Sequence, residues 1–186
     1  MGLFKTRRFY DNTSGLERYR RRLKLEHCPH CSKVGFLNNH GFLSGYSEVG
    51  SEEVVRGYRV FCSNRNRRSG CGRTFSILLC DLLFGFVARV WTLWLFVQNV
   101  SEGASRKAAW EKAAPGFSVE SGYRLWRSMN RSLSRLRELL CRKCIPPDSN
   151  ATLPLVQLLE HMRCAFPGSS NPFASFQSHF QTSLLC

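Results

Sequence analysis

The sequence predicts an α+β protein: a small antiparallel ribbon followed by an α-helical domain of helix-turn-helix character. Two observations carry this. Between Cys28 and Phe75, short β-type segments alternate with glycines and are bracketed by two pairs of cysteines. From Leu78 to Lys143 the apolar residues recur instead at three- and four-residue steps. A third observation concerns charge. The 186 residues hold 27 Lys and Arg against 13 Asp and Glu, a net charge of +14, and 43% of the chain is hydrophobic. That apolar share excludes a wholly disordered basic tail. Residues 1–77 hold 15 basic and 6 acidic residues, residues 78–144 hold 11 and 5, and residues 145–186 hold 1 and 2. The excess therefore lies in the first three quarters and argues for a polyanionic partner, nucleic acid before membrane.

Four segments follow in order. Residues 1–24 read as a basic arm, with Lys5, Arg7, Arg8, Arg18, Arg20, Arg21, Arg22 and Lys24 against Asp11 and Glu17. Asn12-Thr13-Ser14-Gly15 is placed to cap a short helix running into LERYRRRLKLE. Met1-Gly2 with Thr6 fits a myristoylation pattern only formally. No apolar stretch of the secretory kind follows the charged start, so a cytoplasmic chain with reduced thiols is expected.

Residues 25–77 read as the ribbon. GFLNNHGFL, EEVVRGYRVFC and RTFSI each suit one strand, and Gly41, Gly45, Gly50 and Gly57 mark turns or bulges. The cysteines Cys28, Cys31, Cys62 and Cys71 are spaced C-x2-C-x30-C-x8-C. A Cys-x-x-Cys turn aims two thiolates at one ion while its amides donate to the sulfurs, and the second pair completes a tetrahedral site. Two hairpin ends closing one four-coordinate site favour Zn2+ over an iron–sulfur cluster. Gly70-Cys71-Gly72 supplies the tight backbone of the second half, and His30 lies between ligands where it is able to compete. CPHC, a Gly/aromatic hairpin and then GYRVFC…GCGRTFS resembles the zinc ribbon that opens many bacterial insertion-sequence transposases. It is also similar to the zinc finger of phage late-gene activators, whose second cysteine pair is likewise split. The resemblance covers about Cys28 to Ser76 and implies the same four cysteines as ligands. The eight-residue insert between Cys62 and Cys71 departs from the pattern. It places Arg65, Arg67, Arg68 and then Arg73 at the ribbon tip, where guanidinium forks suit phosphates and guanine edges.

Residues 78–144 read as the helical, helix-turn-helix-like domain. Leu78–Val97 has the length of a bilayer span, but Asp81 and Arg89 make it a buried core helix in preference to a membrane segment. A short helix over 101–114, a turn at Pro115-Gly116 and an N-cap at Ser118 lead into a long helix. On that helix Trp126, Met129, Leu133, Leu136 and Leu140 form one stripe, for the core or a coiled-coil contact with a second copy. Arg124, Arg127, Arg131, Arg135 and Arg142 fall nearly opposite. In a recognition helix Ser121, Arg124 and Arg127 would sit near bases or the flanking phosphates, and Arg131 and Arg135 would follow the backbone. The arrangement also resembles the helical segment that follows the ribbon in the same transposase group.

Residues 145–186 read as a Ser/Pro-rich tail with one helix, TLPLVQLLEHMRC, and an amphipathic turn through Phe173, Phe176 and Phe180. Cys141, Cys144, His161 and Cys164 have metal-like spacing but lack turn glycines, so buried thiols and a surface histidine are expected. The three aspartates, Asp11, Asp81 and Asp148, are scattered, and no series of alternating strands follows the ribbon to carry a catalytic triad of carboxylates. The expectation is a non-enzymatic, zinc-dependent protein that binds double-stranded DNA at element ends or a promoter. It would act beside a separately encoded transposase or RNA polymerase. An RNA-binding or ribosome-associated ribbon is the alternative.

Overall fold

The computed structural model describes residues 6–50 and 52–185; the myristoylation pattern at Met1-Gly2 lies outside them. The chain divides into two units, Met1–Leu82 and Leu83–Cys186.

The first unit is a four-stranded sheet in the order β1-β4-β3-β2, formed by β1 (Arg7–Tyr10), β2 (Leu37–Tyr46), β3 (Glu53–Cys62) and β4 (Thr74–Leu79). The β2–β3 and β3–β4 pairs are antiparallel, as the ribbon reading requires. β1 is parallel to β4, with Arg7 opposite Ser76 and Phe9 opposite Leu78. α1 (Thr13–Arg21) follows β1, with Asn12 Oδ1 accepting from Gly15 N at 2.8 Å, so the expected cap forms. A 3₁₀ turn over Leu23–Leu25 ends it.

This corrects the reading of residues 1–24 as an arm. Phe9 is buried, and Leu16, Tyr19 and Leu23 pack with Cys28, Leu37, Val60, Phe75 and Ile77 in the core of the first unit. Their 3- and 4-residue spacing was hidden among arginines, which dominate any count of charge. A second correction concerns Leu78–Val97. Its first residues are not helical but end β4, flanked by β3 on one side and β1 on the other. Along β4, exposed Thr74 and half-buried Ser76 alternate with buried Phe75 and Ile77, and only its Leu78-Leu79 end runs apolar into the segment that follows. Gly85, at φ +81°, stands in the turn that separates it from the next helix.

The second unit holds α2 (Val90–Ser101), α3 (Arg106–Ala113), α4 (Val119–Cys141), α5 (Pro154–Ala165) and α6 (Pro172–Phe180). Ser105 caps α3 by accepting from Ala108 N at 3.2 Å, and Gly116 turns the chain at φ +98° before Ser118 opens α4. Trp110 of α3 is fully buried and meets Phe96 edge-on at 5.2 Å. Its indole Nε1 donates to the Ser118 carbonyl at 2.9 Å. Residues 145–186 are folded into this unit: Leu155, Leu158, Leu159, Met162, Phe173, Phe176 and Leu184 are all core. No helix among the described residues is long and apolar enough to cross a membrane.

Candidate functional site

Two turns deliver the four cysteines. In the first, Ser32 N donates to the Cys28 carbonyl at 2.8 Å and Cys28 N to the Lys33 carbonyl at 3.0 Å, with Ser32 itself left-handed at φ +59°. In the second, Cys62 ends β3 and Cys71 returns beside it. Gly72 N reaches the Cys62 carbonyl at 2.9 Å and Gly70 N the Ser63 carbonyl at 3.1 Å. These bonds close the eight-residue insert at its base, so the split pair converges like a compact knuckle. Glycine is required at position 70, because a Cβ there would lie 2.2 Å from the Ser63 carbonyl oxygen.

The sulfurs of Cys28, Cys31, Cys62 and Cys71 all lie within 4.8 Å of one another, a cluster able to hold one metal ion. Cys28 and Cys71 are 3.7 Å apart at Sγ, and Cys31 and Cys62 3.8 Å. A tetrahedron with metal–sulfur bonds of ~2.3 Å has edges of ~3.8 Å, so the donor set fits a tetrahedral thiolate ion. Backbone amides already point at the sulfurs: His30 N to Cys28 Sγ at 3.4 Å and Cys71 N to Cys62 Sγ at 3.3 Å. Such bonds orient ligands and spread thiolate charge. His30 is drawn aside, its Nε2 3.3 Å from the Thr74 carbonyl. Burial pushes Cys28 up and Cys62 up to about 12. The Lys33 backbone amide pulls Cys31 down to about 7.

The insert forms a turn, with Asn66 and Arg67 left-handed at φ +53° and +60°, and Arg68 N bonded to the Arg65 carbonyl at 3.1 Å. Arg65, Arg67, Arg68 and Arg73 are all exposed, and the Arg65 guanidinium lies 5.5 Å from the Phe61 ring centre.

On α4 the apolar stripe is inward: Trp126, Met129, Leu136 and Leu140 are buried. Arg124, Arg127 and Arg131 are exposed and line a shallow groove with Trp126 and Asn130. Arg124 stands over Phe86 at 5.4 Å, and Arg106 of α3 over Trp126 at 5.0 Å. Sequence reasoning did not single out Arg106 or Asn130. Arg106 follows the Ser105 cap, but its place beside Trp126 depends on how α3 crosses α4. Ser121 is half-buried, its hydroxyl 3.2 Å from that of Ser118.

Arg135 is a correction. Its guanidinium donates to Thr182 Oγ1 at 3.1 Å and to the carbonyls of Ser183 and Leu184 at 2.6 and 2.9 Å. It clamps the C-terminal segment and is not available to a phosphate. Hydrogen bonds to a charged group contribute ~1.5–3 kcal/mol. Arg135→Ala is therefore expected to lower the melting temperature of the second unit without changing the salt dependence of any nucleic-acid binding; a changed slope at unchanged stability would refute the assignment.

The second cysteine cluster brings the Cys144 and Cys164 side chains together without a third ligand. Among the described residues, one group of three or more metal-ligating side chains comes together, and it is the ribbon's. Cys141 and Cys164 are exposed, against the expectation of buried thiols. His161 is buried and not on the surface as expected, its Nε2 3.1 Å from the Cys144 carbonyl. No protein-family model, no curated protein and no solved structure matches the chain.

Proposed function

We propose that the chain is a zinc-dependent protein that binds double-stranded DNA, a recognition module of the transposase-like kind without a catalytic domain, acting at element ends or a promoter. The observation that carries the reading is the exposed face of α4. Arg124, Arg127 and Arg131 project from a helix whose opposite side is core, and no carboxylate pairs with them among the described residues. The short α3, the turn at Gly116 and the longer α4 suit helix-turn-helix docking, in which the second helix enters the major groove. In the first unit, the four sulfurs would hold Zn2+, which when bound supplies a closed structural staple and no open coordination position. The arginines of the insert, Arg65, Arg67, Arg68 and Arg73, give the first unit a basic surface of its own.

Titration on preferred and random duplexes, the preferred site having been selected from random DNA, tests the reading at two salt concentrations. Arg131→Ala is expected to weaken binding to all duplexes alike and to reduce the salt slope by about one. Arg127→Ala is expected to cost ~1–3 kcal/mol on the preferred site and less on random DNA. Unchanged affinity in both variants would leave α4 as scaffold, and stronger competition by structured RNA would overturn the choice of DNA.

A further inference from the structure

The first unit carries eight basic residues before Glu26, and the structure sorts the described ones by what they touch. Arg8 lies over the Tyr19 ring at 5.4 Å and donates to the His27 carbonyl at 3.3 Å. Arg20 pairs with Glu17 at 2.9 Å and covers the Tyr58 ring at 4.0 Å. Lys24 donates to Asn38 Oδ1 at 2.5 Å. These side chains are engaged in holding α1 and the turn after it to the sheet. Arg18, Arg21 and Arg22 are different. All three are exposed and line one groove with Thr13, Ser14 and Glu17, whose carboxylate is already taken by Arg20. At ~100° per residue they fall in one arc, opposite Leu16, Tyr19 and Leu23, which are core.

We infer that this outer face of α1 is a second phosphate-backbone contact for duplex DNA, made by Arg18, Arg21 and Arg22. The inference rests on the DNA-binding reading above but uses a different unit and different residues. Three guanidiniums within about one helical turn, with the Thr13 and Ser14 hydroxyls beside them, match a run of adjacent phosphates. A charged membrane surface is the poorer occupant. A helix that lies in a bilayer interface must bury its apolar face in lipid, and α1 has spent that face on the core.

The unit's own acidic groups reinforce the choice. Three of the six carboxylates in residues 1–77, Glu48, Glu52 and Glu53, cluster at the β2–β3 turn. Lys24 ties the end of α1 to Asn38, near the start of β2, so the turn lies most of a ten-residue strand away, roughly 30 Å. At ~0.1 M salt the Debye length is ~10 Å, and those carboxylates do not screen the arginines. The β2–β3 turn therefore repels a polyanion, whereas around α1 the basic residues outnumber the three carboxylates there, Asp11, Glu17 and Glu26, of which Glu17 is paired with Arg20.

The test is a titration of the full, metal-loaded chain with duplex DNA across a series of salt concentrations. Arg18→Ala/Arg21→Ala/Arg22→Ala is expected to reduce the salt slope by about 2–3, at ~0.9 per phosphate contact, equally on preferred and random duplexes. The corresponding triple Lys variant keeps the charge and should keep the slope, which separates lost contacts from lost fold. Wild-type binding with a slope reduced by less than about one in the Ala variant would overturn this inference alone. Absence of salt-dependent duplex binding by the wild-type chain would overturn both it and the DNA-binding reading. Arginine-dependent capture by phosphatidylserine vesicles, with no effect of the triple variant on duplex binding, would reassign the face to a membrane.

Discussion

Cys62→Ser is expected to abolish metal binding and unfold the whole first unit, residues 6–82, while the helical unit stays folded. Cys62 is fully buried at the junction of β3 and the insert, its Sγ 3.8 Å from that of Cys31. The variant removes one thiolate of four and leaves the other three confined without the charge that justified bringing them together. Structural zinc sites contribute apparent binding free energies of ~10–16 kcal/mol in finger peptides at neutral pH. A unit of this size has a net stability of only ~0.05–0.15 kcal/mol per residue. The metal term wins. The whole unit should go, and not the cysteine-bearing segment alone, because Leu16, Tyr19 and Leu23 of the α1 region share one core with Cys28 and Cys62.

Acid should mimic the variant. Burial holds the protons on Cys28 and Cys62 in the metal-free form, so loading the site at neutral pH releases protons and is opposed as pH falls. Metal analysis is expected to give about one equivalent for the wild-type chain and for a Cys141→Ser/Cys144→Ser/Cys164→Ser variant, and none for Cys62→Ser. Amide protection retained in β3 and β4 after chelation would show that the apolar core stands alone and would refute this account.

The cysteine site was legible in the sequence because ligand spacing is set by chemistry over short distances. Two residues between Cys28 and Cys31, and glycines on either side of Cys71, are local instructions. The same holds for the turn into α4, announced by Pro115-Gly116 and Ser118. What escaped was non-local. β1 exists because Phe9 finds Leu78 across a parallel pair, and nothing within RRFY states that partner. Leu78 and Leu79 read with the helix that follows because the alternation of Thr74, Phe75, Ser76 and Ile77 gives way there to an unbroken apolar run. Arg135 belonged to a convincing arginine stripe, yet its partners stand 47 to 49 residues further on. Periodicity identified the face of α4 but could not say which of its arginines another segment would claim. The structure makes that choice, leaving Arg124, Arg127 and Arg131 exposed and engaging Arg135.

Trp110→Ala is expected to be the most damaging single change in the second unit. Trp110 is fully buried, meets Phe96 and Phe117 edge-on at 5.2 and 6.0 Å, and donates to the Ser118 carbonyl at the start of α4. Truncating a buried tryptophan costs ~3–5 kcal/mol, and the abandoned carbonyl adds ~1 kcal/mol or more. For a unit of about a hundred residues, a loss of that size lowers Tm by well over 10 °C. The position of α4 depends on the same ring from the other side. A Cβ at Gly122 would lie 2.5 Å from Trp110 Cγ and 2.7 Å from Cδ2, too close for any real contact. Gly122→Ala therefore sets two effects against each other. Helix propensity favours Ala by ~1 kcal/mol, whereas forcing a methyl group into a filled site costs ~1–3 kcal/mol. The overlap involves the fixed end of the indole and not a flexible tip, so the packing cost should win and Gly122→Ala should lower Tm. Both variants should keep one equivalent of metal, since the cysteines lie in the other unit, and both should weaken duplex binding by displacing Arg124, Arg127 and Arg131 together. A Gly122→Ala chain that melts higher than wild type would mean that α3 and α4 are not held this closely, and the docking surface drawn from them would have to be redrawn.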